Sequence, residues 1–197
     1  MDNRATAYLE EAIQIARQAV KATPEDHPYR ATWLDNLGSS LRDRYSRTGA
    51  IADLEEAIQV TRQAVDTTPE DHPNRAAWLN NLGIRLGDRY SRTGTVTDLE
   101  EAIQVTRQAL KALPEDHPDR PKLLNNLGNS LSDRYSRTGA IADLEEAIQI
   151  IRQAIEAIPK DHPGRADYLN NLGISLSNKY SRTGTMADLE EAIQVTR

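Results

Sequence analysis

Residues 54–64 read Leu-Glu-Glu-Ala-Ile-Gln-Val-Thr-Arg-Gln-Ala, and the same string stands again at residues 99–109. Its first five residues also begin at Leu9, Leu144 and Leu189, so the copies follow one another at intervals of 45 residues. Asp-His-Pro and Tyr-Ser-Arg-Thr-Gly recur with the same period, without an insertion or a deletion. A fixed period of this length indicates a tandem array in which each copy is one structural unit that stacks on its neighbours.

The first half of each copy has the pattern of a helix. In the copy at residues 71–114, Asp-His-Pro at 71–73 predicts the helix start, because proline is tolerated in a first turn. One apolar stripe at helical spacing follows, formed by Leu79, Leu82, Leu86 and Tyr90. Gly94 then predicts the helix end, since glycine readily adopts the left-handed conformation of a helix cap.

The second half of the copy has the pattern of another helix. Asp98 and Glu101 predict an acidic capping box, in which the Asp98 carboxylate accepts from the backbone and Glu101 reaches back to it. The apolar face that follows consists of Ala102, Ile103, Val105, Ala109 and Leu110. Pro114 predicts where this helix ends. Each copy is therefore expected to be a hairpin of two helices.

These residues resemble the tetratricopeptide repeat signature. Its Leu-Gly pair falls on Leu82-Gly83, its two alanines on Ala102 and Ala109, and its closing proline on Pro114. The long Asp-His-Pro copies are similar to the repeats of kinesin light chains and to repeat regions of fungal and bacterial signalling proteins. The resemblance implies an all-α, right-handed superhelical solenoid of antiparallel helix hairpins, with the first helix of each copy lining a concave groove.

We expect one tandem-repeat domain over residues 1–197. Its predicted parts are a partial first unit at 1–27, repeats at about 28–72, 73–117 and 118–162, and a final truncated repeat at 163–197. The first copy has Tyr8 where later copies have aspartate, and the last copy stops mid-helix at Arg197. We therefore expect a piece of a longer array or an engineered repeat protein.

Composition limits the classes of function. The chain has no cysteine, so disulfides and thiolate chemistry are excluded, and a formal net charge of -6 argues against binding to nucleic acid. No apolar run approaches the roughly 20 residues of a membrane span, and the N-terminus does not resemble a signal peptide. The expected location is the cytoplasm, with no membrane association.

No motif for catalysis or for a cofactor is present in the sequence. The four histidines occupy the same loop of successive copies, whereas metal ligands must converge on one ion. Their predicted role is to order that loop. There is no glycine-rich phosphate loop and no nucleophile with a plausible base, so we expect neither an enzyme nor a bound cofactor or metal.

The positions that vary between copies indicate a binding surface. Framework leucines and glycines hardly change, whereas residues seven and ten apart on the first helices do, and they share one helical face. Asparagines beside that face resemble the asparagine ladder of the kinesin light chain groove, and their amides both donate and accept. The predicted peptide-binding residues are Thr32, Asp35, Asn36, Ser39, Arg42, Ala77, Asn80, Asn81, Ile84, Lys122, Asn125, Asn126, Asn129, Asp167, Asn170, Asn171 and Ile174.

Two alternatives stay open for these residues. The variable face could simply tolerate change because it is exposed, and each asparagine could bond to the adjacent hairpin and hold the stack together. Lys122 is the only lysine on the stripe, so a basic clamp for an acidic C-terminus is not expected.

The predicted function is a scaffold that binds a protein or peptide in its groove, as the sensing or docking region of a larger signalling protein. The alternative is a structural array that self-associates through its terminal helices.

Overall fold

The computed structural model describes residues 3–195, which form nine helices and no strand. Tight turns join the helices within a hairpin, and longer loops join one hairpin to the next. The helices are α1 (Asn3–Ala22), α2 (Arg30–Thr48), α3 (Ile51–Asp66), α4 (Arg75–Thr93), α5 (Val96–Ala112), α6 (Arg120–Thr138), α7 (Ile141–Glu156), α8 (Arg165–Thr183) and α9 (Met186–Val195).

The helices pair as hairpins within two compact units. The unit at Met1–Ala112 holds α1 and the hairpins α2–α3 and α4–α5, and the unit at Leu113–Arg197 holds α6–α7 and α8–α9. We call α2, α4, α6 and α8 the first helices and α1, α3, α5, α7 and α9 the second helices. The predicted all-α class is confirmed. None of the described helices is long and apolar enough to cross a membrane.

The predicted apolar stripes form the core of each hairpin. Leu82 and Leu86 of α4 pack towards Leu99 and Ala102 of α5, and all four are almost fully buried. The hairpins α2–α3 and α6–α7 bury the same four positions, because each repeats the spacing. The chain has no phenylalanine, so small and branched aliphatic side chains fill the space.

Glycine sets the distance between the two helices of a hairpin. A Cβ at Gly83 would lie 2.7 Å from the Thr106 hydroxyl and 3.4 Å from the Ala102 carbonyl oxygen. At Gly128 a Cβ would overlap the side chain of Ile151. Any larger residue at these positions would push the helices apart, which explains the Leu-Gly pair in every copy.

The first helices end as predicted. Gly94 has φ of 71° and donates its backbone N–H to the Tyr90 carbonyl at 2.7 Å, so it forms a left-handed cap. The glycines that close α2, α6 and α8 have the same conformation. A residue with a Cβ would be strained there.

The predicted capping box is wrong. No side chain caps α3, whose N-cap is Ala50, and the Asp53 carboxylate instead accepts two hydrogen bonds from Arg44, at 2.7 and 2.8 Å. In the next hairpin Asp98 binds Arg89 in the same way, while Glu101 binds Arg62 on the preceding second helix. A bidentate guanidinium–carboxylate pair is stronger than a single backbone bond, which explains why the arginine competes successfully.

The loops between hairpins are ordered by histidine and arginine. His72 Nδ1 accepts the backbone N–H of Asn74 at 3.1 Å, and α4 begins two residues after Pro73, at Arg75. Arg75 donates to the Val65 carbonyl at the end of α3, at 2.5 Å. The positive charge is favourable there because a helix C-terminus carries unpaired carbonyl groups.

Two glycine substitutions should change stability in opposite directions. Gly87 lies inside α4 with open space around its Cβ position, so Gly87→Ala should raise the free energy of unfolding by about 0.5–1 kcal/mol. Gly128→Ala should lower it by about 1–3 kcal/mol because the new methyl overlaps Ile151. Urea unfolding of both variants provides the measurement. Equal effects of the two substitutions would contradict the close approach of the helices.

Candidate peptide-binding surface

All seventeen predicted binding residues lie on the first helices, but with unequal access to solvent. Six are exposed: Asn36, Ala77, Lys122, Asp167, Asn170 and Ile174. Nine are half-buried: Thr32, Asp35, Ser39, Arg42, Asn81, Ile84, Asn126, Asn129 and Asn171. Asn80 and Asn125 are only 4% and 7% exposed, so a partner has little access to them in this arrangement.

The asparagines link adjacent first helices. In the first unit, Asn81 of α4 donates its amide to both carboxylate oxygens of Asp35 in α2, at 2.9 and 3.2 Å. In the second unit, Asn171 of α8 donates to the amide oxygen of Asn125 in α6 at 3.1 Å. These bonds correspond to the alternative in which the asparagines hold the stack together. A partner would meet the exposed amides of Asn36 and Asn170.

A buried charge cluster joins α2 to α4. The Arg85 guanidinium, with its side chain 2% exposed, donates to the Asp35 carboxylate at 2.9 Å and to the Ser39 hydroxyl at 2.9 Å. It also donates to the hydroxyl of Thr61 in α3. The cluster therefore joins both helices of the hairpin α2–α3 to α4 of the next hairpin.

The charge on Arg85 is costly to bury and needs its partners. Burial lowers the pKa of the guanidinium, and the neighbouring Asp35 carboxylate opposes that shift. The buried Nε atom has no hydrogen-bond partner. Removing one member of a buried ion pair leaves the other charge uncompensated, which destabilises a protein far more than the intact pair stabilises it.

The sequence prediction missed Arg85, although the copies carry the signal for it. Position 85 is serine in the other copies, at Ser40, Ser130 and Ser175. Position 35 departs from the series at the same time, being aspartate where Asn80, Asn125 and Asn170 stand in later copies. Two residues of opposite charge that replace neutral residues in adjacent copies indicate an ion pair, and the structure contains that ion pair.

Other predicted residues of the first unit also serve packing between hairpins. Arg42 of α2 donates to the Asp88 carboxylate of α4 at 2.6 Å. Ser39 accepts from Arg85. Fewer side chains of α2 and α4 are therefore accessible to a partner than the variation between copies predicted. Asn36 and Ala77 are exposed, and Ile84 is half-buried.

The second unit has the neutral counterpart of this arrangement. Its first helices meet through Asn171 and Asn125 and through the hydroxyls of Ser132 and Ser175, which are 3.0 Å apart. Its exposed side chains differ in character: Lys122 is positively charged, Asp167 is negatively charged and Ile174, which is 52% exposed, is apolar. Such a surface offers ionic, polar and apolar contacts at once.

The histidines lie apart in separate loops, as their spacing predicts. Each accepts a backbone N–H through Nδ1, and His72 also stacks on the buried Trp78 with ring centroids 5.0 Å apart. Within residues 3–195 no three histidine, aspartate or glutamate side chains stand close enough together to hold a metal ion. The loop histidines contribute to packing and loop order.

The described geometry defines a class of protein: a tandem array of helix hairpins, the architecture of protein-interaction scaffolds. The sequence profile of the tetratricopeptide repeat matches residues 30–74, 75–119, 122–164 and 165–197. The chain belongs to the tetratricopeptide repeat family. Repeats of this family generally form non-enzymatic scaffolds for protein–protein interaction.

Solved structures share the fold. One is a repeat protein of Podosopora anserina, described as a kinesin light chain with nearly identical TPR-like repeats, at 20% identity and TM-score 0.66, covering 98% of this chain and 90% of that one. Another is YrrB, described as a TPR protein with an unusual peptide-binding site, at 18% identity and TM-score 0.62, covering 98% and 80%.

A third is BtubC from P. vanneervenii, at 17% identity and TM-score 0.69, covering 98% of this chain and 74% of that one. No curated protein matches the sequence. At these identities the structural likeness shows the fold alone.

The Asp35–Arg85 pair can be tested by a double-mutant cycle. Asp35→Asn should lower the free energy of unfolding by about 3 kcal/mol, since it strands the buried Arg85 charge. Asp35→Asn combined with Arg85→Ser should recover most of that loss, because it recreates the neutral contact of α6 with α8. Denaturant unfolding of the single and double variants measures the coupling. Additive effects would show that the two residues do not interact.

Proposed function

We propose that this chain is a scaffold that binds an extended segment of another protein along its first helices, as the cytoplasmic docking region of a larger signalling protein. The observation that carries the proposal is the contrast between an almost invariant framework and varied exposed positions on one face. That contrast is clearest at Ala77, Lys122 and Asp167, which are equivalent, exposed and chemically different.

The contacts available favour an extended peptide. The exposed amides of Asn36 and Asn170 both donate and accept, so they can bind main-chain groups irrespective of side-chain identity. Lys122, Asp167 and Ile174 would then add selectivity through charge and apolar contact. YrrB, which has the same fold, is described as having a peptide-binding site, and this supports the same class of partner here.

The packing bonds between hairpins also support a preformed surface. Arg85, Asn81 and Arg42 fix α2 against α4, so the exposed positions between them are held in place before a partner arrives. A rigid surface loses little conformational entropy on binding, which favours affinity. Binding of this kind needs no movement of the scaffold.

The proposal predicts that added negative charge on the first helices weakens binding. Extended peptides would be selected against the full chain from a random library, and their affinity compared with that for Ala77→Glu and for Lys122→Glu. The affinity of each peptide should fall about tenfold or more in at least one of the two variants. The reason is that Ala77 lies on the proposed contact face of the first unit and Lys122 on that of the second. Isothermal titration with each selected peptide is the measurement.

The matched control is Gln104→Glu, which adds a negative charge at an exposed position of the second helix α5. It should leave the affinity unchanged. Equal losses in the control and the first-helix variants, or a library from which no peptide is enriched, would overturn the proposal.

A further inference from the structure

One stripe of the first helix α6 carries opposite charges at its two ends. Lys122, Asn126, Asn129 and Asp133 follow one another at intervals of four, three and four residues, so they share one face of the helix. Lys122 and Asp133 are exposed, and the two asparagines between them are half-buried. Within residues 3–195, neither the Lys122 ammonium nor the Asp133 carboxylate has a hydrogen-bond or ion-pair partner.

Asp133 differs in this respect from its equivalent in the preceding first helix. Asp88 of α4 accepts a hydrogen bond from the Arg42 guanidinium at 2.6 Å, so its charge is compensated within the protein. Arg42 stands 46 residues before Asp88. The residue at the same interval before Asp133 is Gly87, which has no side chain to donate. Because the arginine is not repeated, the charge of Asp133 is left for a partner to compensate.

The protein around Asp133 removes part of its hydration. Although its side chain is exposed, burial by the surrounding protein raises the pKa of the carboxyl above its ordinary value, and no nearby cation opposes the shift. A carboxylate that has already lost part of its water loses less when a partner covers it. More of its attraction to a cation therefore contributes to binding.

The other first helices do not present this pair of charges, because each of them lacks the cation. The positions equivalent to Lys122 and Asp133 hold Thr32 and Asp43 in α2, Ala77 and Asp88 in α4, and Asp167 and Asn178 in α8. In chain order α6 also has a first helix before it, α4, and another after it, α8. The exposure of its two charged side chains therefore does not arise from a missing neighbour.

The distance between the two charges defines the ligand that they fit. Lys122 and Asp133 are eleven residues apart on one helix, which places them about 16 Å apart along its axis. An extended chain advances about 3.3 Å per residue, and its side chains alternate between two sides. Side chains about four or about six residues apart therefore lie on one side and come within about 3 Å of the required distance. The flexible Lys122 side chain can cover that difference.

We propose that α6 selects an extended peptide segment with one acidic and one basic side chain about four to six residues apart. Lys122 binds the acidic side chain, Asp133 binds the basic one, and the amide of Asn129 contacts the main chain between them. Opposite charges at the two ends fix the direction of the segment, since the reversed direction would bring like charges together. This inference rests on the proposed function, because it names the segment that the same face binds.

A set of labelled synthetic peptides of identical composition tests the spacing. Each contains one glutamate and one arginine in an uncharged, flexible background, either adjacent, about four or six residues apart, or at opposite ends, and every spacing is made in both orders. Fluorescence anisotropy with the full chain measures the affinity. In one of the two orders, the peptides with the intermediate spacings should bind about tenfold more tightly than the peptide with adjacent charges.

Asp133→Lys should change which peptides bind. The affinity for the glutamate–arginine peptide should fall about tenfold or more, whereas a peptide with two glutamates at the same spacing should gain a similar factor. A residue that only stabilised the fold would not produce this exchange of preference. Asp133→Asn should lower the affinity for the glutamate–arginine peptide about fivefold and make binding less sensitive to added salt.

The matched control is Glu145→Lys, which makes the same change of charge at an exposed position of the second helix α7. It should leave both peptide affinities unchanged, and circular dichroism confirms that each variant folds. Affinity that does not depend on the spacing, or equal losses in Asp133→Lys and Glu145→Lys, would overturn the proposal for α6.

The peptide library described above separates this outcome from a failure of the proposed function. If the library yields peptides that bind but lack the acidic and basic pair, the proposed function stands and the charge selection by α6 is wrong. If neither the library nor the synthetic peptides give binding, both proposals are wrong. Enrichment of the pair at the intermediate spacing, with its loss in Asp133→Lys, supports both.

Discussion

Each hairpin is built around the close approach of two helices at a glycine. At Gly83 the carbonyl of Ala102 and the hydroxyl of Thr106 occupy the space that any side chain would need. The helices can therefore bury a continuous leucine stripe without large aromatic residues, of which the chain has few. The bidentate pair of Arg89 and Asp98 then fixes the turn end of the hairpin. Since the glycine and the ion pair recur with the repeat, the hairpin geometry recurs as well.

The polar contacts between adjacent first helices differ from one pair of copies to another. In the first unit, Asp35 and Arg85 form a buried charged contact, whereas the second unit uses the neutral amides of Asn125 and Asn171. A charged contact at one step of an otherwise similar array distinguishes that step from the others, because Arg85 would lose its partner against any copy that carries asparagine. Residues that vary between copies therefore include some that specify neighbours and some that lie exposed on the first helices.

The fold could be predicted from the sequence because the period and the leucine, glycine and proline positions are local signals. The capping of the second helices could not be predicted correctly. Asp53 resembles a cap in sequence, but Arg44, nine residues earlier, comes within bonding distance only once the hairpin has formed. For the same reason, the exposure of the candidate binding residues could be predicted only in part. Variation between copies located the first-helix face, whereas the burial of Asn80 depends on packing that no single copy encodes.

Each helix is stabilised by the helices that pack against it, so its resistance to local unfolding should depend on how many such neighbours it has. Native-state hydrogen exchange, measured residue by residue on dilute, monomeric chain, tests this dependence. We expect similar, strong protection in α3 and α7, because each packs against the first helix of its own hairpin and against that of the next. In α9, which packs against α8, protection should be much weaker. Protection of α9 equal to that of α7 would contradict the dependence on neighbours.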